Sequence, residues 1–220
     1  RPTPLLSYTI RRLKTISGIV LTASHNPKDY NGYKVYWEEG SQILDDIAKE
    51  ILDNINKIGD FSNIKLIDLE EGLNKGLINY IGKEIDDEYI EKVKKLALNE
   101  DIDKDIKIVY TPLNGTGNKL VRRVLKERDF TNVFVVPEQE NPDPNFTTVG
   151  YPNPEDVKAF DYAKRFGNKK DADILIATDP DCDRVACMVK DDNGEYISLN
   201  GNQTGALLVN YILSSRNKAN

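Results

Sequence analysis

The chain has 220 residues, 39% hydrophobic and 30% charged, with a formal net charge of −6. That length suits one large or two small domains, and an acidic balance with no basic stripe excludes nucleic acid as an expected partner. No apolar run approaches a membrane span and no signal peptide opens the chain, so no membrane partner is expected. Cys182 and Cys187 are the two cysteines and make no disulfide framework, which fits a reducing, cytoplasmic setting.

In chain order, residues 1–4 read as extended and residues 5–13 as the end of a helix. The apolar, β-branched run at 16–21 predicts a buried strand. It enters Thr22-Ala23-Ser24-His25-Asn26-Pro27, a cluster of small and turn-forming residues. Asn31-Gly32 marks a tight turn, and Tyr33-Lys34-Val35-Tyr36-Trp37 reads as a second strand. Two strands thus hold up a loop with Ser24 and His25 at its tip, the usual placement for reactive groups. Ser24 is either a turn residue or a nucleophile. A serine hydrolase fits poorly, because the Gly-x-Ser-x-Gly elbow is absent and His25, the single histidine, adjoins Ser24. On an extended segment neighbouring side chains point to opposite faces, which makes His25 a poor base for Ser24 but leaves it free to reach a ligand.

Further along, residues 43–52 carry apolar positions at helical spacing. Gly72 and Gly76 lie in a polar joint, and residues 77–81 are expected to be a strand linking two pieces. Residues 86–98 form an amphipathic helix with Ile90, Val93, Leu96 and Ala97 on one side. A strand at 106–110 leads through Asn114-Gly115-Thr116-Gly117 into a helix at 119–128. That turn is no dinucleotide fingerprint, since Leu120 stands where a third glycine belongs, and no Gly-Lys-Ser/Thr is present. A strand at 133–136 and a Pro- and Asn-rich loop at 137–154 precede a helix at 154–166. Strands at 173–178 and 185–189, a hairpin turn at Gly194 and an apolar helix at 204–213 complete the chain. Alternating strands and helices define an α/β protein, with mixed but mostly parallel sheets sandwiched by helices.

The strand at 173–178 ends in Asp179-Pro180-Asp181-Cys182-Asp183-Arg184. In an extended loop positions i, i+2 and i+4 share a side, so three carboxylates face one another and repel unless a cation sits between them. Hard oxygen donors without a nearby second ligand type favour magnesium, and Cys182 reads as a spacer. An EF-hand is rejected, because Arg184 and Lys190 stand where glycine and glutamate are required. An acidic surface turn is the plain alternative. The segment also resembles the aspartate nucleophile of haloacid-dehalogenase-type enzymes, whose further lysine and acidic motifs are not evident here. If Ser24 is read as carrying a phosphoryl group, worth about −1.5 to −2, then with three aspartates and a divalent cation the sum is still negative. Arg184 and Lys34 are the cations expected to balance it.

Together the serine loop and the acidic loop resemble one family, the α-D-phosphohexomutases, which include phosphoglucomutase and phosphomannomutase. Thr22 to Pro27 resembles the family's phosphoserine loop, Asp179 to Arg184 its magnesium loop, and Asn31-Gly32-Tyr33-Lys34 the segment carrying a lysine implicated in proton transfer. The likeness continues through Tyr110 to Gly117, Pro142 to Phe146 and Leu199 to Gln203, nearest the phosphoglucomutase branch related to phosphopentomutases. It implies phosphohexomutase-type α/β/α domains. Residues 1–76 would be the later part of domain 1, residues 77–192 domain 2, and residues 193–220 the start of domain 3. It further implies that the chain is a fragment, inactive by itself, lacking the family's sugar-recognition and phosphate-clamping loops.

The implied reaction interconverts glucose 1-phosphate and glucose 6-phosphate through phosphorylated Ser24 and glucose 1,6-bisphosphate, with phosphomannomutase and phosphopentomutase as alternatives. A metal- and phosphate-binding module without turnover is the other reading. Magnesium would be held by Asp179, Asp181, Asp183 and an oxygen of phosphorylated Ser24. Arg184 would contact the phosphoryl group, and Lys34 and His25 are the candidates for moving a hydroxyl proton.

Overall fold

The computed structural model describes residues 1–216. In chain order the elements are α1 (Thr3–Leu13), β1 (Ser17–Leu21), β2 (Tyr33–Trp37), α2 (Asp45–Ile58), α3 (Leu69–Asn74) and α4 (Lys83–Lys94). They continue with β3 (Ile108–Thr111), α5 (Gly117–Glu127), β4 (Val133–Val135), α6 (Pro137–Glu140), α7 (Asp161–Lys170), β5 (Ile174–Thr178), β6 (Val185–Lys190), β7 (Tyr196–Leu199) and α8 (Gly201–Ser215). The final residues of the expected third-domain segment, 217–220, lie outside the described residues.

Two sheets result. β1 and β2 form an antiparallel pair in which Leu21 faces Tyr33 across the serine loop. The second sheet runs β4-β3-β5-β6-β7. β3 is parallel to both β4 and β5, whereas β6 and β7 are antiparallel to their neighbours. The parallel character therefore stops at β5. The six-residue loop 179–184 is too short for a crossover, so β6 must turn straight back along β5. The Asp191–Glu195 turn, with Gly194 at φ +82°, then folds β7 onto β6.

Strand alternation sends side chains to two cores. Val109, Leu175, Ala177 and Met188 pack with Phe160 and with Ala163 of α7 on one face. On the other face the Tyr110 hydroxyl and Thr178 Oγ1 meet at 2.9 Å beneath Gly117, where α5 begins. A second cluster joins Leu5 of α1 to Ile85 and Ile90 of α4 and Leu120 of α5. Ion pairs reinforce that junction: Arg1 holds Asp86 at 2.8 Å, and Arg12 grips Glu88.

Several sequence expectations are corrected. Helix α1 begins at Thr3 rather than Leu5, because Pro2 and Pro4 suit a first turn that needs no amide donors. Strand β1 is not buried; Ile19 and Leu21 are 49% and 68% exposed, since this sheet has two strands with α1 packed against β1. Residues 77–81 form no strand, and Leu77 and Tyr80 are exposed. Helix α4 starts at Lys83 and stops at Lys94, leaving Leu96 exposed. The helix placed at 154–166 starts only at Asp161, after a single 3₁₀ turn at Val157–Phe160 that Asp156 caps. The polar loop at 137–154 opens with the one-turn helix α6. Among the described residues no helix is long and apolar enough to cross a membrane.

Candidate active site

The serine loop is closed by the Thr22 amide donating to the Gly32 carbonyl at 3.0 Å. Gly32 is required there because a Cβ would sit 2.3 Å from the Thr22 carbonyl oxygen. Within the loop the Ser24 amide donates to Thr22 Oγ1 at 2.8 Å, and the Asn26 amide donates to the Ala23 carbonyl at 3.0 Å. This turn holds Ser24 at φ +54°, a left-handed conformation that costs a side-chain-bearing residue about 1 kcal/mol.

That twist overturns one expectation. The segment is a turn rather than extended, so Ser24 and His25 do not point to opposite faces. Ser24 Oγ lies 3.2 Å from His25 Nδ1. The same hydroxyl donates to Asp179 Oδ2 at 3.1 Å, spanning the loops of the two sheets.

The acidic loop is also a turn, not an extended segment. The Cys182 amide donates to the Asp179 carbonyl at 2.9 Å, and Cys182 takes φ +56°. Asp179 and Asp181 are buried, Asp183 is exposed, and one carboxylate oxygen from each lies within 4.8 Å of the others. The convergence predicted from an i, i+2, i+4 pattern is present, but curvature produces it. The loop is braced from α5's side: the Thr116 amide and hydroxyl donate to the Pro180 carbonyl at 2.7 and 3.0 Å. Gly115 permits this approach, since a Cβ there would meet Pro180 Cα at 2.4 Å. Thr3 of α1 braces the other side, its amide donating to the Asp181 carbonyl at 2.8 Å and its hydroxyl to Asp181 Oδ2 at 3.3 Å.

Electrostatics follow from this packing. Asp179 Oδ1 accepts the amides of Asp183 and Arg184 at 3.1 and 3.0 Å. Burial, with the adjacent Asp181 and Asp183 adding to it, nonetheless pushes Asp179 up to about 7. Burial also opposes ionisation of Asp181, but the neighbouring Asp179 and the Lys34 ammonium hold it below the usual carboxylate range. Lys34 Nζ reaches Asp181 Oδ2 at 3.1 Å and Asp183 Oδ2 at 3.7 Å. Burial would lower Lys34, yet the bond to Asp181 leaves it raised. His25 is lowered, first by burial and then by the charge of Arg184, against the pull of Asp181, Asp183 and Glu155.

The structure thus gathers Ser24, His25, Lys34, Asp179, Asp181 and Asp183. Arg184 contributes its amide to Asp179, while its exposed side chain has no ion-pair partner among the described residues. Thr3 and Tyr151, whose ring meets that of His25 with centroids 5.9 Å apart, escaped sequence reading, as did the bracing contacts of Thr22, Gly115 and Thr116. The tight approach at Gly115 had a trace in the Asn-Gly-Thr-Gly turn; Thr3 and Tyr151 had none.

Asp181 Oδ1 is buried and has no hydrogen-bond partner. An unpaired carboxylate oxygen beside two more carboxylates, with no imidazole or thiolate in the set, fits a hard divalent cation such as magnesium. Fold and site together define an α/β protein in which a serine hydroxyl on one sheet's loop faces a cluster of three carboxylates on the other's. The matches agree. Phosphoglucomutase/phosphomannomutase alpha/beta/alpha domain I covers residues 1–61, and alpha/beta/alpha domain II of the same family covers residues 87–194. The chain belongs to the phosphoglucomutase/phosphomannomutase family.

A phosphoglucomutase of Staphylococcus haemolyticus is 40% identical over all of this chain, which spans 40% of that relative's length. Among solved structures, a Thermus thermophilus protein described as a phosphomannomutase superposes with a TM-score of 0.75 at 25% identity, over 97% of this chain and 44% of that one. An Aspergillus fumigatus N-acetylphosphoglucosamine mutase in complex with glucose 1,6-bisphosphate shares the fold, at TM-score 0.56 and 17% identity over 96% of this chain and 51% of its own.

Proposed function

We propose that this chain carries the phosphoserine and metal sites of a phosphoglucomutase that interconverts glucose 1-phosphate and glucose 6-phosphate. The observation that carries the proposal is the 3.1 Å contact from Ser24 Oγ to Asp179 Oδ2, inside a carboxylate cluster balanced by Lys34. The reading takes glucose rather than mannose as the sugar because the curated relatives at 40% identity are phosphoglucomutases.

In this reading Ser24 rests as the phosphomonoester. Its P–O bond breaks as the sugar monophosphate hydroxyl attacks, giving glucose 1,6-bisphosphate and a free Ser24. The bisphosphate turns over and returns its other phosphoryl group to Ser24. Asp179, Asp181 and Asp183, with an oxygen of phosphorylated Ser24, would hold magnesium, which supplies charge neutralisation at the transferring group. Lys34 and His25 are both placed to relay the hydroxyl proton; Lys34 also fixes Asp181, and His25 touches Ser24 itself. Arg184, exposed at the loop edge, would meet the phosphoryl group. Residues 1–76 form the serine-bearing piece, 77–192 the metal-bearing domain and the residues from 193 onward the start of a third. Both cysteines are free, which suits the cytoplasm.

The test is intact mass and peptide mapping of the protein from cells. One phosphoryl group on the Ser24 peptide, lost on adding glucose 1-phosphate with magnesium, is expected. A bare Ser24 that glucose 1,6-bisphosphate cannot load would overturn the proposal.

A further inference from the structure

His25 touches Ser24 at one edge of its ring, and a second contact fixes the ring from outside the serine loop. The Tyr151 ring meets it edge-on, with centroids 5.9 Å apart and planes at 66°. Such an arrangement sets one ring's positive edge against the other's electron-rich face and fixes orientation beyond simple burial. Tyr151 belongs to the polar segment between α6 and α7, which approaches the serine loop twice. The second approach is Lys28 Nζ to Asn145 Oδ1 at 3.3 Å.

The segment is built to hold these positions. Asp143 accepts the amides of Asn145 and Thr147 at 2.9 and 2.8 Å and the Thr147 hydroxyl at 2.6 Å. The fully buried Gln139 donates to Thr148 Oγ1 at 3.3 Å, and Val149 packs on the main core. Gly150, at φ +64°, turns the chain immediately before Tyr151. The loop is therefore anchored to the sheet that carries the acids, and it reaches across to the hairpin that carries the serine.

We propose that Tyr151 is a positioning residue that seats the His25 imidazole against Ser24 Oγ, so that the segment 143–151 sets the geometry of phosphoryl transfer without touching substrate. Its bearing on transfer rests on the phosphoserine reading above. The contact uses the ring, since the Tyr151 hydroxyl is engaged elsewhere, accepting from Asn153 Nδ2 at 3.3 Å. Tyr151→Phe should therefore preserve the function and Tyr151→Ala should lose it.

The experiment uses the full-length enzyme with ¹³C-labelled histidine, the His25 ring signal being assigned by its disappearance in His25→Gln. Two quantities are read: that ring signal, and the rate at which Ser24 takes a phosphoryl group from glucose 1,6-bisphosphate. Tyr151→Ala is expected to shift the His25 signal and slow the loading at least about tenfold with little change in half-saturating concentration, while Tyr151→Phe stays within about twofold of wild type. In a His25→Ala background, Tyr151→Ala should cost nothing further. An unmoved His25 signal, or losses from His25→Ala and Tyr151→Ala that simply multiply, overturns the proposal. If wild-type Ser24 takes no phosphoryl group but the His25 signal still follows Tyr151, the mutase reading fails while the seating of His25 by Tyr151 stands.

Discussion

Lys34 on β2 and Asp181 on the acidic loop are 147 positions apart in sequence, yet the ammonium lies 3.1 Å from Oδ2. Asp181 is 3% exposed, so this cation is what allows its charge to be kept near a second buried carboxylate. Lys34→Met should destabilise the metal-free protein by about 1–3 kcal/mol, at the lower side of a broken buried pair because Lys34 is partly solvated. Magnesium should recover much of that loss. Thermal melts with and without magnesium check it; equal losses in both conditions would refute the electrostatic account.

Asp179 gives a pH signature. Its folded-state value, pushed up to about 7, lies above the ordinary 3.8. The folded protein then binds more protons than the unfolded chain between these values, so its contribution to stability is full below about pH 4 and lost as pH rises through about 7. Melting temperature of the metal-free protein should fall across that window, and saturating magnesium should flatten the slope. Asp179→Asn should remove the slope as well, raise metal-free stability above pH 7 by about 1–2 kcal/mol and abolish magnesium binding by calorimetry. A wild-type protein whose metal-free stability climbs from pH 4 to 7 contradicts the burial argument.

Gly115 lies outside the acidic loop but limits where it can go. Gly115→Ala forces a Cβ into Pro180, and backbone cannot yield as a side-chain tip would. The variant should lose about 1–3 kcal/mol of stability and bind magnesium at least about tenfold more weakly, because the brace on Asp179 and Asp181 moves. Isothermal titration of the refolded variant distinguishes this from loss of fold; unchanged affinity would mean the loop holds its own shape.

Ser24→Ala separates the two halves of the site. The carboxylates remain, so magnesium affinity without phosphorylation should stay within about threefold, whereas mutase turnover should fall by at least about 10⁴-fold. Phosphoryl incorporation on any other residue of the variant would reassign the acceptor.

The serine hairpin, strands β3 to β6 and the six residues that the structure gathers around Asp179 were legible in the sequence. Their patterns are local: β-branched runs, an Asn-Gly turn and a carboxylate at every second position. What sequence missed depends on contacts between distant segments. No periodicity reveals that Thr3 braces the acidic loop or that Tyr151 abuts His25. The alternation rule failed at Ser24 because it presumes extended backbone, and a positive φ there is set by the Thr22 and Ala23 hydrogen bonds around it. The antiparallel return at β6 followed from loop length, which was readable but not used.

The cluster joining Leu5 to Ile85, Ile90 and Leu120 lies away from the chemistry, yet α1 leads from it both to Thr3 and into the serine hairpin. Ser24 and the three aspartates are thus mounted on separate supports that meet at this one joint. A substitution at Leu5 or Ile90 that leaves each support intact would still misalign them, and a slackened joint would register first as lost phosphoryl transfer.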